Sequence, residues 1–162
     1  MDISISCISE DDLPDIARLA NCHAIAAMTA NLPHPYTEAH AKTWYEYLQT
    51  HDCEHVFKVC GKGKLMGVVG LVHEAEHDRA ELGYWLGEKY WGKGHMSAAV
   101  AMAVAYAFEV LGVRRVYSRC FSVNIASQHV LANNGFELEG CLKRHHVRMG
   151  ITHDVLCYGL VK

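Results

Sequence analysis

Two imidazoles and a carboxylate lie close together in the segment HEAEH, where His73 and His77 are four residues apart and Glu74 follows the first. On an α-helix this H-E-x-x-H spacing directs both imidazoles to one Zn²⁺ and leaves the Glu as the general base of a hydrolase. The flanking runs at 64–72 and 79–87 are instead typical of β-strands, and the segment has no apolar stripe to dock a helix. We therefore predict a polar connection between strands with no bound metal, and keep a zinc hydrolase as the weaker alternative.

A second chemical signal is the glycine-rich segment LGEKYWGKGHMSAAV. Its Gly87 and Gly92-Lys93 nearly match the phosphate loop of nucleotide triphosphatases, but Gly94 replaces the hydroxyl residue that would hold Mg²⁺. Glycines at a strand-to-helix junction still let backbone N–H groups approach an anion, and the helix N-terminus favours negative charge. The segment predicts a pyrophosphate-binding loop to which Lys93 adds a positive charge. The alternative is a tight turn in which the glycines only satisfy backbone geometry.

Composition narrows the function classes. The 162 residues fit one domain, 1–162. A net charge of −3 gives no electrostatic footprint for nucleic acid, and the apolar stretch 96–113 is too short for a membrane span and contains Glu109. The seven cysteines include no C-x-x-C pair, and the first residues lack a signal peptide. We expect a cytoplasmic protein with reduced thiols that binds neither nucleic acid nor membrane.

Periodicity and capping signals predict an α/β (α+β) fold. Strands are expected at 3–8, 55–60, 64–72, 79–86, 114–120, 136–148 and 152–161, and helices at 9–21, 38–49, 94–111 and 124–135. A Pro-rich loop precedes the second helix, with Thr37 as its cap, and a turn at Met149-Gly150 joins the last two strands. Strands in series followed by alternating helices and strands indicate a mixed sheet with helices on its faces.

Four segments together resemble the GNAT superfamily of acetyl-coenzyme A-dependent N-acetyltransferases, in the branch that acetylates the N termini of ribosomal proteins. They are LPHPYTEAHAKTW, AELGYWLGEKYWGKGHMSAAV, NIASQHVLANNGFELEGCLKRH and HDVLCYGL. The resemblance covers nearly the whole chain. It implies a single-domain, mostly antiparallel, splayed sheet in which acetyl-coenzyme A lies in a V-shaped gap between the fourth and fifth strands.

The resemblance also implies which residues bind the cosubstrate. In the family pattern [QR]-x-x-G-x-[GA], Trp91 stands first and Gly94 is the invariant glycine, whereas Met96 is bulkier than the expected small residue. Main-chain groups of Trp85 and Leu86 would align the pantetheine arm, and Asn124 would bind it from the short helix. The expected cosubstrate site is Trp85, Leu86, Trp91, Gly92, Lys93, Gly94, His95, Met96, Ser97 and Asn124.

For catalysis, the resemblance implies a direct attack of a primary amine on the thioester in a ternary complex. Many family members carry a Tyr four residues before the Gly-Phe pair, where this chain has Leu131; the ribosomal branch carries a Ser at the position of Ser127. The alternative for Ser127 is a hydroxyl that caps a helix. Glu81 on the fourth strand and His146 on the sixth are both candidates for the general base.

The acceptor is expected to lie between the last hairpin and the Pro-rich loop, where Pro33, His34 and Tyr36 are the candidate contacts. The sequence leaves open whether the amine belongs to a protein N terminus or to a small molecule such as an amino acid. It also leaves open whether the protein is a monomer or a homodimer. A non-catalytic coenzyme A-binding module is the alternative of a different class.

Overall fold

The computed structural model describes residues 2–162 and contains one seven-stranded sheet. The strands are β1 (Ile3–Cys7), β2 (Glu54–Gly61), β3 (Lys64–Glu74), β4 (Arg79–Leu86), β5 (Arg115–Phe121), β6 (Glu137–Arg148) and β7 (Ile151–Val161). The α-helices are α1 (Leu13–Ala20), α2 (His23–Met28), α3 (Glu38–Gln49), α4 (His95–Glu109) and α5 (Ile125–Asn133). The strand order is β1-β2-β3-β4-β5-β7-β6. The predicted mixed, mostly antiparallel sheet flanked by helices is confirmed.

The sheet is covered by helices on both faces because β3 and β4 carry apolar side chains on both sides. Alternate residues of a strand point to opposite faces. On one face Leu82 and Leu86 of β4 join the larger core with α4. On the other face Trp85 packs into a smaller core with α1 and α3. Most of the apolar stretch at 96–113 therefore forms α4, which packs one face into the larger core, and among residues 2–162 no helix is both long and apolar enough to cross a membrane.

The feature that creates a site is a fork between β4 and β5, the one parallel pair in the sheet. Only three residue pairs connect these strands, from Arg79 with Arg115 to Glu81 with Tyr117. Beyond them β4 stays paired with β3 as far as Leu86, and β5 stays paired with β7 as far as Phe121. The sheet thus opens into a gap without losing either strand.

The HEAEH segment is not a helix. His73 and Glu74 are the last residues of β3, and residues 75–77 form a single 3-10 turn that leads into β4. Because His73 ends a strand and His77 lies in the turn after it, the two imidazoles are not one turn apart on one face of a helix. The predicted connection between strands is confirmed in this form.

One difference from the sequence prediction is α2, which lies between the predicted first helix and the Pro-rich loop and was missed.

Candidate active site

The gap begins where a side chain replaces a backbone hydrogen bond. The hydroxyl of Ser118 in β5 donates to the carbonyl oxygen of Leu82 in β4 at 2.8 Å, and Ser118 is buried. The Leu82 carbonyl therefore faces β5. In an antiparallel ladder, residues alternate between those that exchange bonds with the partner strand and those that do not, so the main chains of Tyr84 and Leu86 also face the gap.

Trp85 is placed differently from the sequence prediction. Its carbonyl oxygen lies directly against Gly67 of β3, where a Cβ atom at Gly67 would collide with it. The Trp85 main chain is thus directed to the ladder with β3, and its side chain packs with α1 and α3. The expected contacts of the pantetheine arm with Trp85 and Leu86 stay predictions; the main chains that face the gap are those of Tyr84 and Leu86.

The glycine loop has the geometry of an anion site. Gly92 and Gly94 have φ of 71° and 77°, which is left-handed backbone that favours glycine. Helix α4 begins at His95, directly after Gly94, and runs for 15 residues, so its positive end is set into the loop. The buried Nδ1 of His95 has no hydrogen-bond partner among residues 2–162. The left-handed glycines and the N-terminus of α4 together fit the pyrophosphate of coenzyme A.

The other loop residues support this geometry. The Trp91 indole donates to the Leu86 carbonyl at 2.7 Å and ties the loop to the end of β4. Lys93 is exposed and donates to the Lys89 carbonyl at 3.3 Å. Met96, which is larger than the family pattern expects, is buried in the core with α4 and does not displace the helix start. The Ser97 carbonyl accepts from the amide of Asn134 at 3.2 Å, which joins α4 to the end of α5.

Ser127 lies on α5 and faces β4. Asn124 is the helix cap, because its Oδ1 accepts from the Ser127 N–H at 3.1 Å. The Ser127 hydroxyl is not used for capping; its Oγ lies 2.6 Å from the hydroxyl oxygen of Tyr84. Ser127 is buried, and Leu131 one turn further along is fully buried in the core. The backbone N–H of Ser127 is therefore capped by Asn124, and its hydroxyl contacts Tyr84.

His146 lies on the face of the sheet opposite to Ser127, near the open end of the gap. Its Nε2 is 3.1 Å from the carbonyl oxygen of Ala30. A carbonyl only accepts, so Nε2 carries the proton and the Nδ1 of the neutral ring keeps its lone pair. The ring centroid of Phe121 is 5.4 Å from that of His146 and 4.1 Å from that of the buried His153.

Glu81 lies at the closed end of the fork and is held by cations and hydroxyls. Its Oε1 pairs with the Arg119 guanidinium at 3.0 Å, and its Oε2 accepts from the Tyr117 hydroxyl at 3.1 Å. Tyr117 also bonds to Glu74. A cavity of about 350 Å³ opens beside this network, lined in part by Arg79, Arg115 and Arg119. Both carboxylate oxygens of Glu81 are therefore engaged.

The last hairpin contacts the segment before the Pro-rich loop and the first residue of that loop; whether the acceptor binds there stays a prediction. Arg148 of β6 donates to the carbonyl of Ala26 at 2.9 Å and to that of Leu32. Pro33 and His34 are exposed. The Tyr36 side chain is buried in the smaller core, so it supports the loop and does not face the acceptor.

Comparison with known proteins identifies the family of this chain. Residues 3–137 match the family model described as the acetyltransferase (GNAT) domain. The chain belongs to the GNAT family. Among curated GNAT relatives, the uncharacterized N-acetyltransferase YoaA of Bacillus subtilis is 34% identical over 61% of this chain and 56% of its own length. The ribosomal-protein-serine acetyltransferase of Escherichia coli is 32% identical over 65% of this chain and 60% of its own length.

These matches span little more than half the length of the curated relatives. Among solved structures, spermidine N-acetyltransferase from Vibrio cholerae, in complex with CoA and spermine, superposes with a TM-score of 0.87. That match covers 99% of this chain and 95% of the other at 23% identity, and at this identity it supports the GNAT fold alone. The resemblance seen in the sequence is confirmed at the level of the family.

The zinc alternative finds no support in the geometry. Glu74, its presumed base, pairs with the Arg79 guanidinium at 2.7 Å, and this bond holds the pKa of the carboxyl below its usual value. Within the described part of the chain, no group of three or more His, Cys, Asp or Glu side chains is arranged to hold a metal ion.

Sequence reasoning did not single out Tyr84, because its apolar neighbours Leu82 and Leu86 made it look like one more core residue. It also missed Phe121 and Arg148, whose roles depend on how distant segments pack. The alternation along the strand already placed Tyr84 on the same face as Leu82. The contact of Tyr84 with Ser127 on α5 can be seen only in the folded structure.

Proposed function

We propose that this protein is an acetyl-coenzyme A-dependent N-acetyltransferase that moves an acetyl group to a primary amine by direct attack in a ternary complex. The observation that carries the proposal is the fork between β4 and β5, with Ser127 on one face of the sheet and His146 on the other. The cradle for the cosubstrate is the loop of Gly92 and Gly94 with the N-terminus of α4.

The position of Ser127 along the gap follows from the strand register. Glu81 pairs with Tyr117, so Tyr84 lies at the level of Cys120, three residues further along both strands. Ser127 contacts Tyr84, and His146 contacts Phe121, the residue after Cys120. The two candidate catalytic groups are therefore at nearly the same level of the gap, on opposite faces. An amine that arrives from the His146 face attacks while the thiolate departs towards the Ser127 face.

Each step of acyl transfer then has a residue suited to it. The Nδ1 of His146 accepts the amine proton, because Nε2 is fixed as a donor to Ala30. The main-chain N–H groups that β4 directs into the gap, at Tyr84 and Leu86, stabilise the charge that develops on the thioester oxygen. Ser127 donates to the departing thiolate. Coenzyme A itself supplies the activated acetyl group.

His146 is a better candidate for the base than Glu81. Glu81 lies at the vertex of the fork, where it pairs with Tyr117 of β5. At about 3.3 Å per residue, Phe121 is roughly 13 Å further along β5. Both of its carboxylate oxygens are also already hydrogen-bonded, one to Arg119 and one to Tyr117. We therefore assign Glu81 to the structure of the fork.

The surroundings of His146 favour an acceptor with a single α-amine. Arg148 lies two residues further on the same strand face, and His153 lies opposite in the register. The cation of Arg148 bonds to two backbone carbonyls and is not neutralised by a carboxylate in these contacts, so it repels a polyamine. A protein N terminus or an amino acid fits this environment better than spermidine.

The test is a panel of amines assayed for thiol release from acetyl-coenzyme A. The panel contains peptides with free N termini, amino acids, polyamines and aminoglycosides. We expect release with a peptide N terminus or an amino acid, and little with spermidine. Tight binding of coenzyme A with no release for any amine would show a non-catalytic coenzyme A-binding module instead.

A further inference from the structure

Tyr84 makes the one side-chain contact that spans from β4 to the catalytic hydroxyl proposed on α5. Its hydroxyl oxygen lies 2.6 Å from the Ser127 Oγ, and the next acceptor, the Ser127 carbonyl oxygen, is 3.4 Å away. The Tyr84 ring packs on the larger core beside α4. The ring is thus fixed by packing, and the phenol points at Ser127.

The direction of this hydrogen bond determines what Ser127 can do. A hydroxyl has one proton to donate and two lone pairs. When the Tyr84 phenol donates to Ser127, the Ser127 proton is left for another acceptor, and the Cys120 sulfur on β5 is one within hydrogen-bond reach; in the reverse direction the Ser127 proton is already used in the bond to Tyr84. Burial of the ring raises the pKa of Tyr84, so the phenol stays protonated. At 2.6 Å either hydroxyl can be the donor, and only donation by the phenol leaves the Ser127 proton unused in this bond.

We propose that Tyr84 is a positioning residue that donates its hydroxyl proton to Ser127 Oγ and thereby presents the Ser127 hydroxyl to the departing thiolate of coenzyme A. This inference rests on the proposed function of Ser127. Hydrogen bonds in a chain polarise one another, so the donation strengthens the bond from Ser127 to the sulfur as negative charge develops there. The phenol donates a hydrogen bond to the serine oxygen, and the serine hydroxyl donates one to the sulfur. No covalent bond changes at Tyr84.

The kinetic test compares Tyr84→Phe, Ser127→Ala and the double variant. Tyr84→Phe keeps the packed ring and removes the donor, and we expect kcat to fall about 10-fold while KM for acetyl-coenzyme A stays within about twofold. The double variant should be no slower than Ser127→Ala alone, since Tyr84 acts only through Ser127. If the two losses multiply, Tyr84 does not act through Ser127 and the proposal is wrong.

A matched control and a change of leaving group separate positioning from stability. Tyr106→Phe removes another hydroxyl that bonds a side chain, at 3.3 Å to His55, from the same core but away from the gap; it should leave kcat unchanged. With acetyl thioesters of more acidic thiols, the departing sulfur needs less stabilisation, so the loss in Tyr84→Phe should shrink. A loss of constant size across these thioesters would mark a merely structural role.

A binding measurement decides the proposal even if no amine is turned over. Coenzyme A should bind wild-type protein more tightly as its thiol ionises between about pH 7 and 10, and desulfo-coenzyme A should show no such gain. Tyr84→Phe should lose most of the gain, and Tyr106→Phe should keep it. If Tyr84→Phe keeps the full gain, the proposal is overturned, whatever the outcome of the amine panel.

Discussion

The hydroxyl of Ser118 donates a 2.8 Å hydrogen bond to the carbonyl oxygen of Leu82 at the point where β4 and β5 part. This bond satisfies a buried carbonyl that has lost its place in the parallel ladder. It also fixes where the gap begins, because the residue pairs before it are joined by backbone bonds and those after it are not. The site therefore depends on a serine that need not contact any substrate.

Ser118→Ala should lower the free energy of unfolding by about 1–3 kcal/mol, because the buried Leu82 carbonyl is left without a donor. Urea unfolding with and without acetyl-coenzyme A checks this. The control is Ser6→Ala at an exposed position of β1, for which a change within about 0.5 kcal/mol is expected. Equal losses in both variants would show that the bond to Leu82 contributes nothing specific.

Gly94→Ala tests the glycine loop, and Gly63→Ala is the matched control. Both glycines have left-handed backbone, at φ 77° and 73°, so both variants carry similar strain and should lose similar thermal stability. Only Gly94 borders the start of α4. Ligand at 100 times its Kd stabilises the wild type by about 2.7 kcal/mol, and we expect Gly94→Ala to lose most of this thermal shift while Gly63→Ala keeps it. A full shift in Gly94→Ala would mean that the cradle lies elsewhere.

The sequence was sufficient for features that depend on local chemistry. The Gly-rich turn before an apolar helix, the cap at Thr37 and the turn at Met149-Gly150 each have a mechanism that a few neighbouring residues specify. The helix α2 was missed because its six residues HAIAAM lie between two helix-ending signals and offer too short a period to recognise.

The features that the sequence could not supply all depend on distant packing. The parity of β4 was known, but the direction of its main chain depends on which neighbour continues the ladder, so Trp85 was assigned to the gap although its carbonyl faces β3. The candidate bases Glu81 and His146 looked equivalent as strand residues. They differ only once Arg119 and Tyr117 enclose the first and the Ala30 carbonyl fixes the tautomer of the second.

His146→Gln and Glu81→Gln distinguish the two candidate bases. His146→Gln keeps a polar side chain but removes the nitrogen that accepts the amine proton, so it should lower kcat/KM by about 10²-fold or more in a protein that still binds acetyl-coenzyme A. Glu81→Gln should largely keep kcat/KM and lose mainly stability. The assignment is reversed if Glu81→Gln loses turnover and His146→Gln keeps it.

Activity should survive removal of metal ions. The HEAEH segment is a strand end and a turn, and Glu74 is paired with Arg79, so His73 and His77 lack the geometry for a catalytic zinc site. Dialysis against a chelator should leave turnover unchanged, and His73→Ala and His77→Ala should retain it. A tightly bound zinc ion at one equivalent, whose removal abolishes turnover, would contradict the proposed mechanism.

Ser127→Ala tests the leaving-group step directly. A bond from Ser127 to the departing thiolate strengthens only as charge develops, so its loss should lower kcat and spare the affinity for acetyl-coenzyme A. General acids contribute about 10²- to 10⁴-fold, and a thiol with a pKa near 8.5 is already a fair leaving group, so we expect a loss of about 10²-fold or somewhat less.

The same variant must also be unfolded, because Ser127 is buried and bonds to Tyr84. Loss of that bond should cost about 1 kcal/mol of stability. The α5 cap should remain, since Asn124 accepts from the Ser127 backbone N–H, which alanine keeps. Turnover measured well below the melting temperature therefore separates chemistry from folding: a lowered melting temperature with unchanged kcat would remove Ser127 from the mechanism, and a lowered kcat in a folded protein that still binds acetyl-coenzyme A would place it there.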